Sequence, residues 1–225
     1  RLLACPGHGT TRATRASVWS NFFQERTFVS LVGFLFQDTR LLGWPIPGHR
    51  NFEELNLRFY LRREVNGQVE RGVAFIKEIV PRFAVTAVAR WVYGENYVTH
   101  PMRHELQIAE DRATATYQWK HRGRWNRLSV TGEGPPRFAE EGSEEHFITE
   151  HYWGYTRNSP QKTLTYEVQH PSWRLWNSCT AHVDCDAASL YGEAFGEVLQ
   201  QTPSSCLLAE GSEISVHDCV NLKLK

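Results

Sequence analysis

Asn66-Gly67 stands between two runs of alternating side chains, and this dipeptide constrains the fold more than any other feature. A type I′ turn needs positive φ at both central residues, which Asn and Gly adopt with least strain. Before it, Leu55, Leu57, Phe59 and Leu61 alternate with Glu54, Asn56, Arg58, Tyr60 and Arg62. Period 2 marks a strand with two unlike faces. A two-residue loop fixes the register. It sets Val65 opposite Gln68, Arg58 opposite Phe75, Asn56 opposite Lys77 and Glu54 opposite Ile79. Glu54, Asn56, Arg58 and Lys77 then share one face, with directly opposed Cβ atoms about 5 Å apart and diagonal ones roughly 7–8 Å. A water-facing strand shows the same alternation, so a solvated face and a polar cluster inside a curled sheet are both open. Arg62 opposite Arg71 counts against this register, and Arg63 opposite Glu70 counts for it. A bulge near the turn would relieve the conflict.

The chain before and after the hairpin reads as mainly β. Residues 28–36 are apolar on both faces, as in a strand buried on both sides, and Gly33 within them marks a bend or a close backbone approach. Pro81 ends the hairpin. Ala84, Ala87, Val88, Trp91 and Val92 then recur at helical steps, which predicts an amphipathic helix packing that stripe on the sheet, with Arg82, Thr86 and Arg90 on another. Residues 102–108 return to strand. Residues 113–119 and 125–130 form a second hairpin. Ser143 caps a short helix. Residues 163–170 and 175–183 are strands, and 187–199 is a helix with Leu190, Ala194 and Val198 on one side. Residues 205–209 and 213–217 pair last. The count is nine or ten strands and three helices. Short connections make the sheet mainly antiparallel, and closing it into a barrel would remove its edges. Residues 1–16 read as a poorly ordered lead-in to a single domain over 17–225.

Bulk properties exclude several functions. The 25 basic and 25 acidic residues cancel, so no long-range field draws the protein to nucleic acid or to a membrane. The basic tip at 121–124 is a hairpin turn before it is a nucleic-acid signal. No apolar run spans a bilayer. The stretch 1–5 is too short for a secretory leader, and the chain begins with Arg rather than Met, as at a processed end or a fragment boundary. Five scattered cysteines without CxxC spacing suit reduced thiols in a cytoplasmic protein. His100 and His104 have i, i+4 spacing but lie on loop and strand, so no metal is expected, and no cofactor motif is present.

Several stretches taken together are similar to a known family: FVSLVGFLF at 28–36, NFEELNLRFY at 51–60, RGVAFIKEIVPR at 71–82, WGYTR at 153–157 and AEGS at 209–212. They resemble, in order and over roughly 26–217, the YqjF-like family of uncharacterised bacterial proteins, a domain of unknown function placed in the acetoacetate decarboxylase-like superfamily. That resemblance implies a cone-like antiparallel β-barrel with flanking helices. It implies a glutamate on the first hairpin strand, with Glu54 the nearest match. It also implies a Schiff-base lysine after the helix that follows the hairpin. The matching segment here is YGENYVTHPMR at 93–103, and no lysine occurs from Glu78 through Trp119. A guanidinium stays protonated and cannot form the imine in its place.

Three functional readings follow, and whether the protein is an enzyme is left open. In the first, the protein binds a small anionic or carbonyl-containing molecule inside the barrel. Arg58 pairs the anion, Asn56 and Glu54 orient it or move a proton, and Tyr97 and His104 line the site. In the second, Lys77 is a relocated nucleophile of a lyase, its pKa lowered by Arg58. In the third, the domain binds a partner without catalysis. None of them fixes the oligomeric state, and a homo-oligomer fits each.

Overall fold

The computed structural model describes residues 2–7, 18–41, 44–45, 48–65, 67–93, 95–159, 162–217 and 220–222. Two sheets carry the architecture. The larger has eleven strands among the described residues and follows the path Ser205–Leu207, Leu2–Gly7, Thr27–Phe36, Phe52–Val65, Gln68–Val80, Trp153–Ser159, Lys162–Gln169, Ser215–Val216. Val18–Ser20, Tyr97–Thr99 and Val220–Leu222 join it from the sides. The smaller sheet runs Ser178–Asp184, Arg124–Glu133, Arg112–His121, Met102–Ile108. No pairing among the described residues closes the large sheet into a ring. No helix among them is long and apolar enough to cross a membrane.

The fold is mainly β, and most pairings are antiparallel, as the short connections require. Two are parallel. Trp153–Ser159 and Tyr97–Thr99 each run alongside Gln68–Val80. Gly72 permits the first of these, because a Cβ there would lie 2.3 Å from the Trp153 carbonyl oxygen. Leu2–Gly7, inside the stretch read as a lead-in, is a strand paired with Thr27–Phe36 and Ser205–Leu207. Residues 8–17 and Asn66 lie outside the described residues, whereas Gly67 has the positive φ of 78° that the turn requires.

The apolar residues of the hairpin make the main core. Leu31, Leu55, Leu57 and Ile79 of the large sheet pack with Trp119, Leu128 and Val130 of the small one and with Leu190 and Tyr191. Each fully buried Leu or Ile contributes about 1.5–3 kcal/mol. Gly33 is a close-approach position, since a Cβ there would meet Tyr117 Cδ2 at 2.7 Å. The other face of the large sheet carries Phe28, Val32, Tyr60 and Val73 against Phe147 and Ile148, and Phe52 and Val80 against Ala89 and Tyr97.

Three expectations are corrected. Phe83–Val88 is a helix that continues as a π-helical turn, Ala89–Tyr93. It buries Thr86 and Ala89, while Phe83, Val88 and Trp91 face outward and Trp91 is 89% exposed. Thr86 turns inward because its Oγ1 has a partner there, Thr99 Oγ1 at 2.7 Å, and the wider π turn rotates Trp91 off the sheet. Residues 187–199 form two helices, Ala187–Tyr191 and Glu193–Leu199, broken at Gly192, whose φ is 99°. Ala194 faces outward. The strands expected at 205–209 and 213–217 do not pair with each other: Ser205–Leu207 joins Leu2–Gly7, and Ser215–Val216 joins Lys162–Gln169.

Candidate functional site

The hairpin keeps the expected register from Val65 opposite Gln68 down to Arg58 opposite Phe75. Arg62 does oppose Arg71. The repulsion is relieved by direction rather than by a bulge near the turn. Arg71 donates to the Phe147 carbonyl at 2.8 Å and lies 5.1 Å from that ring's centroid, while Arg62 faces outward. The bulge comes lower, between Leu57 and Arg58. Below it Asn56 opposes Glu78 and Leu57 opposes Lys77. A one-residue shift moves a side chain to the opposite face. Lys77 is therefore separated from Glu54, Asn56 and Arg58, and Glu78 takes the place expected for it.

The result is a buried acidic group. Glu54, Glu78 and Glu95 are 2%, 1% and 7% exposed. Glu54 accepts from Asn56 Nδ2 at 3.2 Å and from the Tyr97 hydroxyl at 2.9 Å, one on each carboxylate oxygen. Tyr97 arrives on the short strand paired with Gln68–Val80, in register with Glu78. Glu95, just beyond the π turn, accepts from the Tyr166 hydroxyl and, at 3.5 Å, from Thr156 Oγ1. Burial pushes the Glu54 carboxyl up from 4.5 to about 7, against the opposing pull of Asn56, Tyr97 and Arg58. Burial likewise takes Glu95 to about 7. Glu78 rises well above the usual carboxylate range through burial and the charges of Glu95 and Glu54. Tyr97 and Tyr166 are also pushed up by burial, so both phenols stay protonated and act as donors. Carboxyls poised near neutrality suit proton transfer.

The same face turns basic one step along the strand. Arg58 lies 5.7 Å from the Tyr60 ring centroid, and its Nε is buried without a hydrogen-bond partner. Tyr60 and Ser30 share a hydrogen bond of 2.8 Å. His151 sits 4.8 Å from the Tyr60 ring, with Nε2 3.2 Å from Asn21 Nδ2. Burial holds His151 well below its ordinary pKa, and the charges of Arg71 and Arg58 add to this.

The structure thus brings together Glu54, Asn56, Arg58 and Tyr97, and excludes two expected members. Lys77 is on the far face and donates to the Leu190 carbonyl. His104 is on the outer strand of the small sheet, paired at 2.7 Å with Glu53, whose side chain points away from Glu54. Sequence reasoning missed Glu78, Glu95, Tyr166 and His151. Glu78 had a signal: neighbours in a strand face opposite ways, so Lys77 and Glu78 between apolar runs cannot both face water. Glu95, Tyr166 and His151 had none, since the chain fold alone brings them in.

Residues 16–213 match the sequence profile of DUF2071, a family described as an uncharacterized conserved protein. The chain belongs to this family. No curated protein matches it. Among solved structures, this DUF2071 protein is similar to an acetoacetate decarboxylase-like enzyme from Sphingomonas wittichii, at 9% identity and a TM-score of 0.58, over 93% of this chain and 84% of that one. It is similar to the acetoacetate decarboxylase of Legionella pneumophila, at 11% identity and a TM-score of 0.53, over 99% and 81%. It is also similar to the enduracididine biosynthesis enzyme MppR with HEPES buffer bound, at 12% identity and a TM-score of 0.55, over 92% and 78%. At these identities the likeness is one of fold. The fold is the one that acetoacetate decarboxylase-like proteins have.

Proposed function

We propose that this DUF2071 protein binds a small anionic or carbonyl-containing molecule on the inner face of its hairpin, within a sheet curled like the cone-like barrel of the superfamily. Arg58 anchors the anionic group, because its planar fork suits bidentate contact with a carboxylate. Asn56 orients the molecule. A protonated Glu54 donates to the Tyr97 oxygen, which frees the single phenol proton for a carbonyl oxygen, and Glu54 thereby gives or takes the proton through Tyr97. Chemistry at such a site is proton transfer beside a carbonyl, without a covalent imine. The observation that carries this reading is Glu54: buried, held by two donors and raised to about 7 beside a guanidinium.

The test is thermal stabilisation by pyruvate and by acetoacetate, with 3-hydroxybutyrate as the anion lacking a ketone. Stabilisation follows RT ln(1 + [L]/Kd), so a millimolar binder is visible at tens of millimolar. The expected result is a shift with at least one oxo acid that disappears in Arg58→Gln. Equal shifts in wild type and Arg58→Gln overturn the anchor. Borohydride treatment in the presence of either oxo acid is expected to leave the mass unchanged. An adduct on Lys77 would replace this reading with the lyase one.

A further inference from the structure

The bulge that turns Glu78 inward turns Lys77 onto the far face of the hairpin, where it meets a second polar group. Lys77 Nζ donates to the Leu190 carbonyl and lies 5.8 Å from the Tyr191 ring centroid. Ser189, the residue before Leu190, has its Oγ 3.0 Å from His121 Nε2. The His121 ring stands edge-on to His100, with centroids 5.1 Å apart. Three basic side chains from three separate elements gather here. Lys77 comes from the hairpin, His100 from the turn before Met102–Ile108, and His121 from the tip of the small-sheet hairpin.

Among the described residues Asp186 is the one anion whose charge bears on this group. None of the ion pairs among the described residues involves Lys77, His100 or His121. The positive charge of Lys77 bears on both imidazoles, and that of Arg122 bears on His121. Asp186 opposes them at His121, and its Oδ1 already accepts from the Ser189 amide at 3.2 Å. His121 Nδ1 and the Tyr191 hydroxyl are buried with no hydrogen-bond partner. Burial, aided by the neighbouring cations, holds both histidines below their ordinary value. They are neutral at pH 7 and take up protons when negative charge arrives.

We propose that Lys77, His100, His121 and Ser189 bind a phosphoryl group, carried by inorganic phosphate or by a small phosphate monoester. The donors are an ammonium, two imidazoles and a hydroxyl, each a single point approaching from its own element. Such a set surrounds a tetrahedral oxyanion, whereas a planar carboxylate is matched by the flat fork of a guanidinium. The ammonium has three N–H groups and uses one on Leu190. The second pKa of a phosphate ester, about 6, lies near that of an imidazole, so one proton can be shared between them.

The experiment is histidine-ring NMR of the 15N-labelled chain, titrated with sodium phosphate, with glycerol 2-phosphate, and with sodium chloride at matched ionic strength. His100 and His121 signals are expected to move to saturation with at least one phosphate and to titrate at higher pH in its presence. The His151 ring, on the opposite face of the sheet, stays where it is. The arm that saturates at the lower concentration identifies the source. Lys77→Met weakens binding about tenfold, the effect of losing one charge-assisted contact, and Ser189→Ala weakens it severalfold. Shifts no larger than those in chloride overturn the proposal. So does wild-type affinity in Lys77→Met or, should that variant not fold, in Ser189→Ala.

Discussion

Asn56 on one hairpin strand faces Glu78 on the other, and this pairing decides which side of the sheet is acidic. Had the register run unbroken, Lys77 would stand there and would neutralise Glu54. With the bulge, three buried carboxyls come together, with the Arg58 guanidinium beside Glu54. The fold meets that cost by keeping protons on the carboxyls and by supplying Tyr97 and Tyr166 as donors.

Stability therefore depends on pH in a definite direction. Glu54 and Glu95 have folded-state values near 7 against 4.5 when exposed, so the folded chain holds more protons between those limits. Their stabilisation is full below about pH 4.5 and is lost as pH rises toward 7. His151 works the other way, since its depressed value favours the folded state as pH rises through 6.5. The clean readout is the difference between variants. Glu54→Gln is expected to lose stability relative to wild type at pH 5 and to regain it by pH 8, at up to about 1.4 kcal/mol per pH unit. Urea denaturation at four pH values measures this. A difference independent of pH means that Glu54 is ionised throughout.

Tyr97→Phe removes the donor from Glu54 Oε2 and leaves a buried acceptor unpaired. A loss of about 1–3 kcal/mol is expected. Because the phenol favours the charged carboxylate, its removal also moves the Glu54 titration to higher pH. Carboxyl-labelled NMR reports that shift directly. Movement to lower pH contradicts the assigned hydrogen bond.

Gly72→Ala places a methyl 2.3 Å from the Trp153 carbonyl and 2.6 Å from the Tyr155 ring. The obstacle includes backbone, so the parallel seam must open. The expected loss is roughly 3 kcal/mol or more, at the upper end of overpacking effects. An unchanged melting temperature would mean that this seam is absent in solution.

Two tryptophans separate the true core from the expected one. Trp119 is fully buried and Trp91 is 89% exposed. Trp119→Ala is expected to cost about 3–5 kcal/mol and Trp91→Ala within about 0.5 kcal/mol. Equal losses in the two variants contradict the outward rotation of Trp91 by the π turn.

The sequence by itself determined the hairpin, its two unlike faces and the register of its upper half. Alternation and a two-residue turn are local properties, and local geometry fixes what lies beside the turn. It also gave the second hairpin, the Ser143 cap and the family. Only the tertiary structure decided the rest. The bulge between Leu57 and Arg58 depends on how the strands bend against their neighbours, and it exchanged Lys77 for Glu78. Tyr97 reaches the site through its parallel pairing with Gln68–Val80, and Tyr166 through the hairpin whose first strand, Trp153–Ser159, pairs parallel with the same strand; no local pattern encodes such pairings. The helix after Pro81 shows the same limit. Its apolar period fits a buried face, yet a hydroxyl partner at Thr99 and a widened turn set which side is covered.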